Sequence, residues 1–245
     1  MENTKKSFLS RYKIETSDTK SKLLSRSLLW MSLGLMVIIL VAWISSVNEK
    51  FYEFALTISI GSNWLIAWIV NIAIIFALFM VVRNNNINIL VPIFIYTIFA
   101  FYEGLFITTI LAFSGARDLV KDLLIYMLIP AGIFFVMGSL AYFNVINFLK
   151  FGPYILFSFI GLLFFSLIMI FTNNWVVEMI YLILAAAIFI VWIGFDMQII
   201  ARTQENLNYS SLDKKMINRL SFMFGINLFI DFVNILSIVI RIFKA

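Results

Sequence analysis

The chain has 245 residues, of which 63% are hydrophobic and only 13% charged, whereas an ordinary soluble domain is roughly 25% charged. A mean hydropathy of +1.02 with a net charge of +5 marks an integral membrane protein with no nucleic-acid partner. The absence of cysteine and histidine excludes disulfides, thiolate chemistry, the usual zinc ligands and imidazole proton relays, so any pH sensing falls to carboxylates.

Residues 1–27 carry Lys5, Lys6, Arg11, Lys13, Lys20, Lys22 and Arg26 against Glu2, Glu15 and Asp18, without a clear apolar period. They read as a mobile basic cytoplasmic tail that sets topology, with docking on anionic lipid as the alternative. The tail is too polar for a signal peptide, so the first span is expected to be retained.

Residues 28–245 read as one all-α transmembrane domain. Apolar runs recur at 28–46, 64–82, 87–113, 123–143, 154–172, 175–200 and 217–243. Most match the roughly 20 residues needed to cross a hydrocarbon core. Seven runs with short links predict a seven-transmembrane-helix bundle of antiparallel neighbours. No internal repeat supports an inverted-repeat transporter. With the amino terminus inside, thirteen Lys and Arg fall on the cytoplasmic side and only Lys50, Arg117 and Lys121 on the other. Seven full crossings would leave Arg241 and Lys244 outside, whereas a re-entrant seventh segment, mildly favoured by the charge rule, would return them inside. The lack of histidine and cysteine, with abundant Ile, Asn and Lys, fits a small AT-rich bacterial genome, and the bacterial plasma membrane is the expected location.

Two aspartates interrupt apolar runs: Asp196 in Gly194-Phe-Asp-Met-Gln-Ile199 and Asp231 in Leu228-Phe-Ile-Asp-Phe-Val-Asn-Ile235. A carboxylate in hydrocarbon costs about 2.5–3.5 kcal/mol by insertion scales, so such residues face a cavity, a partner or a proton path. Asn227, Asp231, Asn234 and Arg241 recur at intervals of four, three and seven, which places them on one helical stripe. That stripe is expected to turn inward and to make the seventh helix central. The alternative for the asparagines is hydrogen bonding to neighbouring helices. Asp196 beside a cytoplasmic arginine such as Arg83 would stay ionised, whereas Asp196 beside Asp231 would share a proton with it. Counted from the charges bounding each helix, Asp231 lies about six residues deeper than Asp196, about 9 Å at 1.5 Å per residue.

Glu103, in Phe101-Tyr-Glu-Gly-Leu105, is a third acid at membrane depth, open to a role in an ion path or to a hydrogen bond with a neighbouring helix. Gly104 beside it allows close helix approach. Glu178 opens the sixth span, favourably placed on the helix dipole. Trp30, Trp64 and Trp175 are placed as interface anchors. No lysine lies mid-span for a retinal Schiff base, and neither a Gly-x-Ser-x-Gly elbow nor a phosphate-cradling glycine loop occurs. An enzyme is not expected.

The two aspartate segments in this order, with Arg241-Ile-Phe243 and Tyr96-Thr-Ile-Phe-Ala-Phe-Tyr-Glu-Gly-Leu105, resemble the signatures of the Bax inhibitor family over residues 28–243. The resemblance implies a seven-helix bundle with helix seven in the middle, acting in the bacterial branch as a pH-dependent calcium leak. It implies that Asp196 and Asp231 form the hydrogen-bonded pH sensor and that an arginine ending helix two, here Arg83, latches the closed state. The expected function is therefore a passive, proton-gated calcium pathway, with Asp196 and Asp231 offering oxygens to the ion. Glu103, Asn227, Asn234 and Arg241 are then pore or packing polar groups. No cofactor is expected; calcium enters as permeant ion, and protons and the lipid bilayer are the other partners. The rival reading is a non-conducting scaffold that modulates other membrane proteins, such as a quality-control protease. A proton-coupled exchanger is a third reading.

Overall fold

The computed structural model describes residues 2–59, 64–84, 87–172, 174–206 and 214–244, with side chains from Leu23 onward in the first helix. Eight α-helices run through them: α1 (Glu2–Val47), α2 (Glu49–Ser59), α3 (Trp64–Arg83), α4 (Leu90–Phe113), α5 (Leu119–Tyr142), α6 (Gly152–Thr172), α7 (Trp175–Asn206) and α8 (Lys214–Lys244). All seven apolar runs fall on helices. Five helices are long and apolar enough to cross a membrane, and a sixth results if two stretches bent by 43°, Phe148–Ile155 and Phe157–Ser166, count as one. The chain is thus a multi-pass helical membrane protein.

Polar side chains placed where helices begin satisfy orphan N–H groups. Asp118 accepts from Val120 N and Lys121 N, both at 3.1 Å, ahead of α5. Asn88 and Asn174 do the same for Leu90 N and Val176 N at the starts of α4 and α7.

Three expectations need correction. The stretch from Val47 to Asn63 is not a bare linker, because it contains α2. Asn48 accepts from Phe51 N at 3.2 Å, Ala55 is buried beside Val41 and Leu105, and Thr109 Oγ1 donates to Ala55 O at 3.2 Å. An eleven-residue amphipathic helix is too short to register as a span and too polar on one face to stand out as an apolar run. Trp30 is not an interface anchor. Its ring packs edge-on against Phe222 of α8, centroids 4.8 Å apart, whereas Trp175 is exposed as expected. The Trp64 side chain and most of the expected tail lie outside the described side chains, but the core begins earlier than expected, since Leu23 and Ser27 are fully buried.

The third correction concerns α8. Arg241 reaches Glu178 in the first turn of α7, so the two helices run antiparallel and α8 ends where α7 begins. The helix continues unbroken from Lys214 to Lys244, and no re-entrant return occurs. It is also the most buried of the five: 72% of its apolar stretch is buried, against 44% or less in the others. It packs on α1, α7, α5, α4 and α3.

Close approach of α1 to α8 depends on two glycines. At Gly225 an added methyl would lie 2.5 Å from Trp30 Cβ and 2.8 Å from the Ser27 carbonyl oxygen. Gly34 leaves room for Tyr96, whose hydroxyl donates to Trp30 O at 2.9 Å, and for Phe229. Tyr96 and Phe99 of α4 stack edge-on against Phe229, so aromatic rings lock α1, α4 and α8 together.

Candidate functional site

Asp196 is 8% exposed and Asp231 4% exposed, and their side chains are hydrogen-bonded to each other between α7 and α8. Two ionised carboxylates have no donor, so a hydrogen bond between them would require a proton on one. Asp231 Oδ2 is fully buried, with no donor from any other side chain or backbone N–H among the described residues. The 9 Å depth difference inferred from sequence does not exist. That count took Arg219 as the membrane boundary of α8, but Arg219 is itself buried, 6% exposed, and marks no boundary.

Arg219 is the residue that sequence reasoning missed. Its guanidinium donates to three backbone carbonyls, Val82 O at 3.4 Å, Asn84 O and Ile87 O, at the end of α3 and the start of the link to α4. It therefore acts as a C-cap supplied from another helix, with a cation at the negative end of the α3 dipole. Arg83, the expected latch, is exposed and is not beside the carboxylates. The buried arginine near the end of α3 is Arg219, and it serves carbonyls instead of carboxylates.

The acid Glu103 is 6% exposed and accepts from Asn71 Nδ2 of α3. Its hydrogen-bonding reading is the one the geometry fits. Asn71, a single amide in an apolar run, carried no periodic signal in the sequence. Gly104 packs against Val41 of α1, as its size allowed. Arg241 is no lone pore group: its Nη2 lies 2.7 Å from Glu178 Oε1, with both side chains partly exposed.

The α8 polar stripe departs from expectation. Asp231 is buried, but Asn227, Asn234, Ser237 and Arg241 are half-buried, on the least covered side of the helix. A helix surrounded on its other sides by apolar neighbours has room for polar groups only where packing is incomplete.

Gln198, two residues after Asp196, fixes the link between α5 and α6 onto α7. Its Oε1 accepts from Leu149 N at 3.0 Å, and its Nε2 donates to Asn144 Oδ1 at 3.1 Å and Ile146 O at 3.2 Å. Gly194, one turn earlier, makes the hollow filled by the Phe148 ring. Gln198→Leu is expected to destabilise the protein by about 1–3 kcal/mol, because three partly buried hydrogen bonds, each worth about 0.5–1.5 kcal/mol, are lost together. Thermal unfolding in detergent checks this, and an unchanged midpoint would refute the clamp.

No group of three or more acidic side chains that could hold a metal occurs among the described residues. A cation at the aspartate pair would have two carboxylates and would take its remaining oxygens from water or backbone, since calcium prefers six to eight.

The family described as "Inhibitor of apoptosis-promoting Bax1" matches residues 20–245. Among curated proteins, none matches the chain significantly.

Proposed function

The chain belongs to the Bax inhibitor family, and from that premise we propose that it is a passive, proton-gated leak for calcium. The observation that carries this reading is the hydrogen-bonded pair Asp196–Asp231, buried between two antiparallel helices of a membrane bundle. With one proton on the pair, a carboxyl donates to a carboxylate and ties α7 to α8. Loss of that proton sets two like charges side by side where water is scarce, and their repulsion drives the helices apart. Separation frees carboxylate oxygens for a divalent ion and shifts the population toward an open form. Flux therefore rises as pH rises through the range in which the pair loses its proton, and falls on acidification.

In this reading α2 lies at the surface while the other seven helices span the membrane, with α8 central and the amino terminus in the cytoplasm of a bacterial cell. The protein has no catalytic role. Calcium and protons are its small partners.

The test is calcium flux from proteoliposomes over a pH series, wild type against the double variant Asp196→Asn with Asp231→Asn. Wild-type flux should change by about tenfold or more, equivalent to about 1.4 kcal/mol of gating free energy, and the double variant should show a flat profile. An unchanged pH profile in the variant would overturn the mechanism. Absence of calcium flux at every pH would favour a scaffold that binds other membrane proteins.

A further inference from the structure

The incompletely covered side of α8 changes character along its length. Leu220 and Met223 are half-buried near its start, and Asn227, Ile230, Asn234, Ser237 and Arg241 continue the same stripe toward its end. The first part is apolar and compatible with hydrocarbon. The second is not. Among the described residues the Asn227 and Asn234 side chains have no hydrogen-bond partner, and Ser237 Oγ bonds only the Asn234 carbonyl of its own helix, at 2.8 Å. An unpartnered amide in hydrocarbon costs several kcal/mol. Half-buried amides without protein partners therefore meet water.

Asp231 sits at the edge of this stripe, four residues after Asn227 and three before Asn234. The stripe ends at the partly exposed Arg241–Glu178 pair, at the start of α7. In the other direction the stripe continues as the half-buried apolar Leu220 and Met223, flanked by buried Phe222, Phe224 and Ile226 of α8, Leu23 and Ser27 of α1, and Ile200 and Gln204 of α7, so that end offers water no polar lining. We propose that Asn227, Asn234 and Ser237 line a water-filled crevice, open to the side where α7 begins, through which small cations and protons reach Asp231. The Arg241–Glu178 pair forms its mouth. The inference rests on the aspartate pair being the gate, and it adds the side of the membrane that the gate samples.

The chain has no cysteine, so one introduced thiol at a time can report on water access. Asn234→Cys and Ser237→Cys in sealed vesicles of known orientation are treated with a membrane-impermeant cationic methanethiosulfonate. Trp175→Cys and Lys150→Cys, both exposed at opposite ends of α7, mark the two sides. Ile183→Cys is the exposed apolar control and Ile235→Cys the buried one.

The expected result is modification of residues 234 and 237 from the Trp175 side only, at least tenfold faster than at residues 183 and 235. Adding Arg241→Gln should speed the cationic reagent and slow its anionic counterpart, by up to roughly tenfold each, because a positive charge at the mouth is gone. Equal reactivity at 234 and 183, access from the Lys150 side, or disulfide cross-linking of residue 234 between two copies would overturn the crevice. These rates need no ion flux, so a protein that fails to conduct calcium would leave this result standing.

Discussion

Arg219→Leu is expected to destabilise the protein by about 3 kcal/mol or more and to loosen the α3–α4 link selectively. Leucine nearly matches the volume but brings no donor, so the carbonyls of Val82, Asn84 and Ile87 lose their guanidinium together. Asn84 O keeps its bond from Ile87 N, but each partly buried carbonyl left without a partner costs about 1–3 kcal/mol. The favourable placement of a cation at the end of the α3 dipole disappears as well. Arg219→Lys should recover part of the loss, since an ammonium keeps the charge but cannot spread its donors over three carbonyls as the planar fork does. Detergent-phase unfolding gives the total effect, and hydrogen exchange around residues 82–89 gives its location. Stability within about 0.5 kcal/mol of wild type, the range of ordinary surface changes, would refute the capping role.

The second large effect is expected at Gly225. Glycine to alanine inside a helix ordinarily gains roughly 0.5–1 kcal/mol. At Gly225 the new methyl meets Trp30 Cβ at 2.5 Å and, more seriously, the Ser27 carbonyl oxygen at 2.8 Å, which belongs to backbone and cannot rotate away. Helix α1 must shift, and overpacking of this kind costs about 1–3 kcal/mol. Gly225→Ala should therefore lower the unfolding midpoint. Gly132→Ala in α5 and Gly161→Ala in α6, where nothing lies within 4 Å of the added methyl, should leave it unchanged or raise it. If all three behave alike, the α1–α8 contact is not as close as described.

The parts of this molecule legible in its sequence are those that free energy makes conspicuous. Apolar runs announce helices because a hydrocarbon slab admits little else, and acids within those runs stand out because burying them is costly. Asp196 and Asp231 were visible for that reason. Their mutual contact was implied by the family resemblance alone, since depth judged from neighbouring charges argued against it: Arg219 has the composition of a boundary residue but the surroundings of a buried cap. Its acceptors are backbone carbonyls, which every residue has and no sequence advertises. Asn71 was hidden for a similar reason: a single amide has no period. The stripe on α8 was read correctly as a stripe, yet its direction depends on where five neighbouring helices leave a gap, and periodicity carries no information about neighbours. Gln198 stood within a quoted motif, but its role depends on a link almost 50 residues earlier in the chain.

The position of α8 in the chain has a consequence for biosynthesis. The most buried helix is the last of the eight to be made, so its predecessors enter the membrane around a vacancy. Until α8 arrives, Asp196 has no carboxyl partner, the end of α3 must be hydrated, and Trp30 and Phe134 lack the rings they pack against. The earlier helices therefore form a provisional assembly whose closure is a late, nearly all-or-none step. Chains cut short before α8 should be recognised in the cell as unfinished, even with every preceding span inserted.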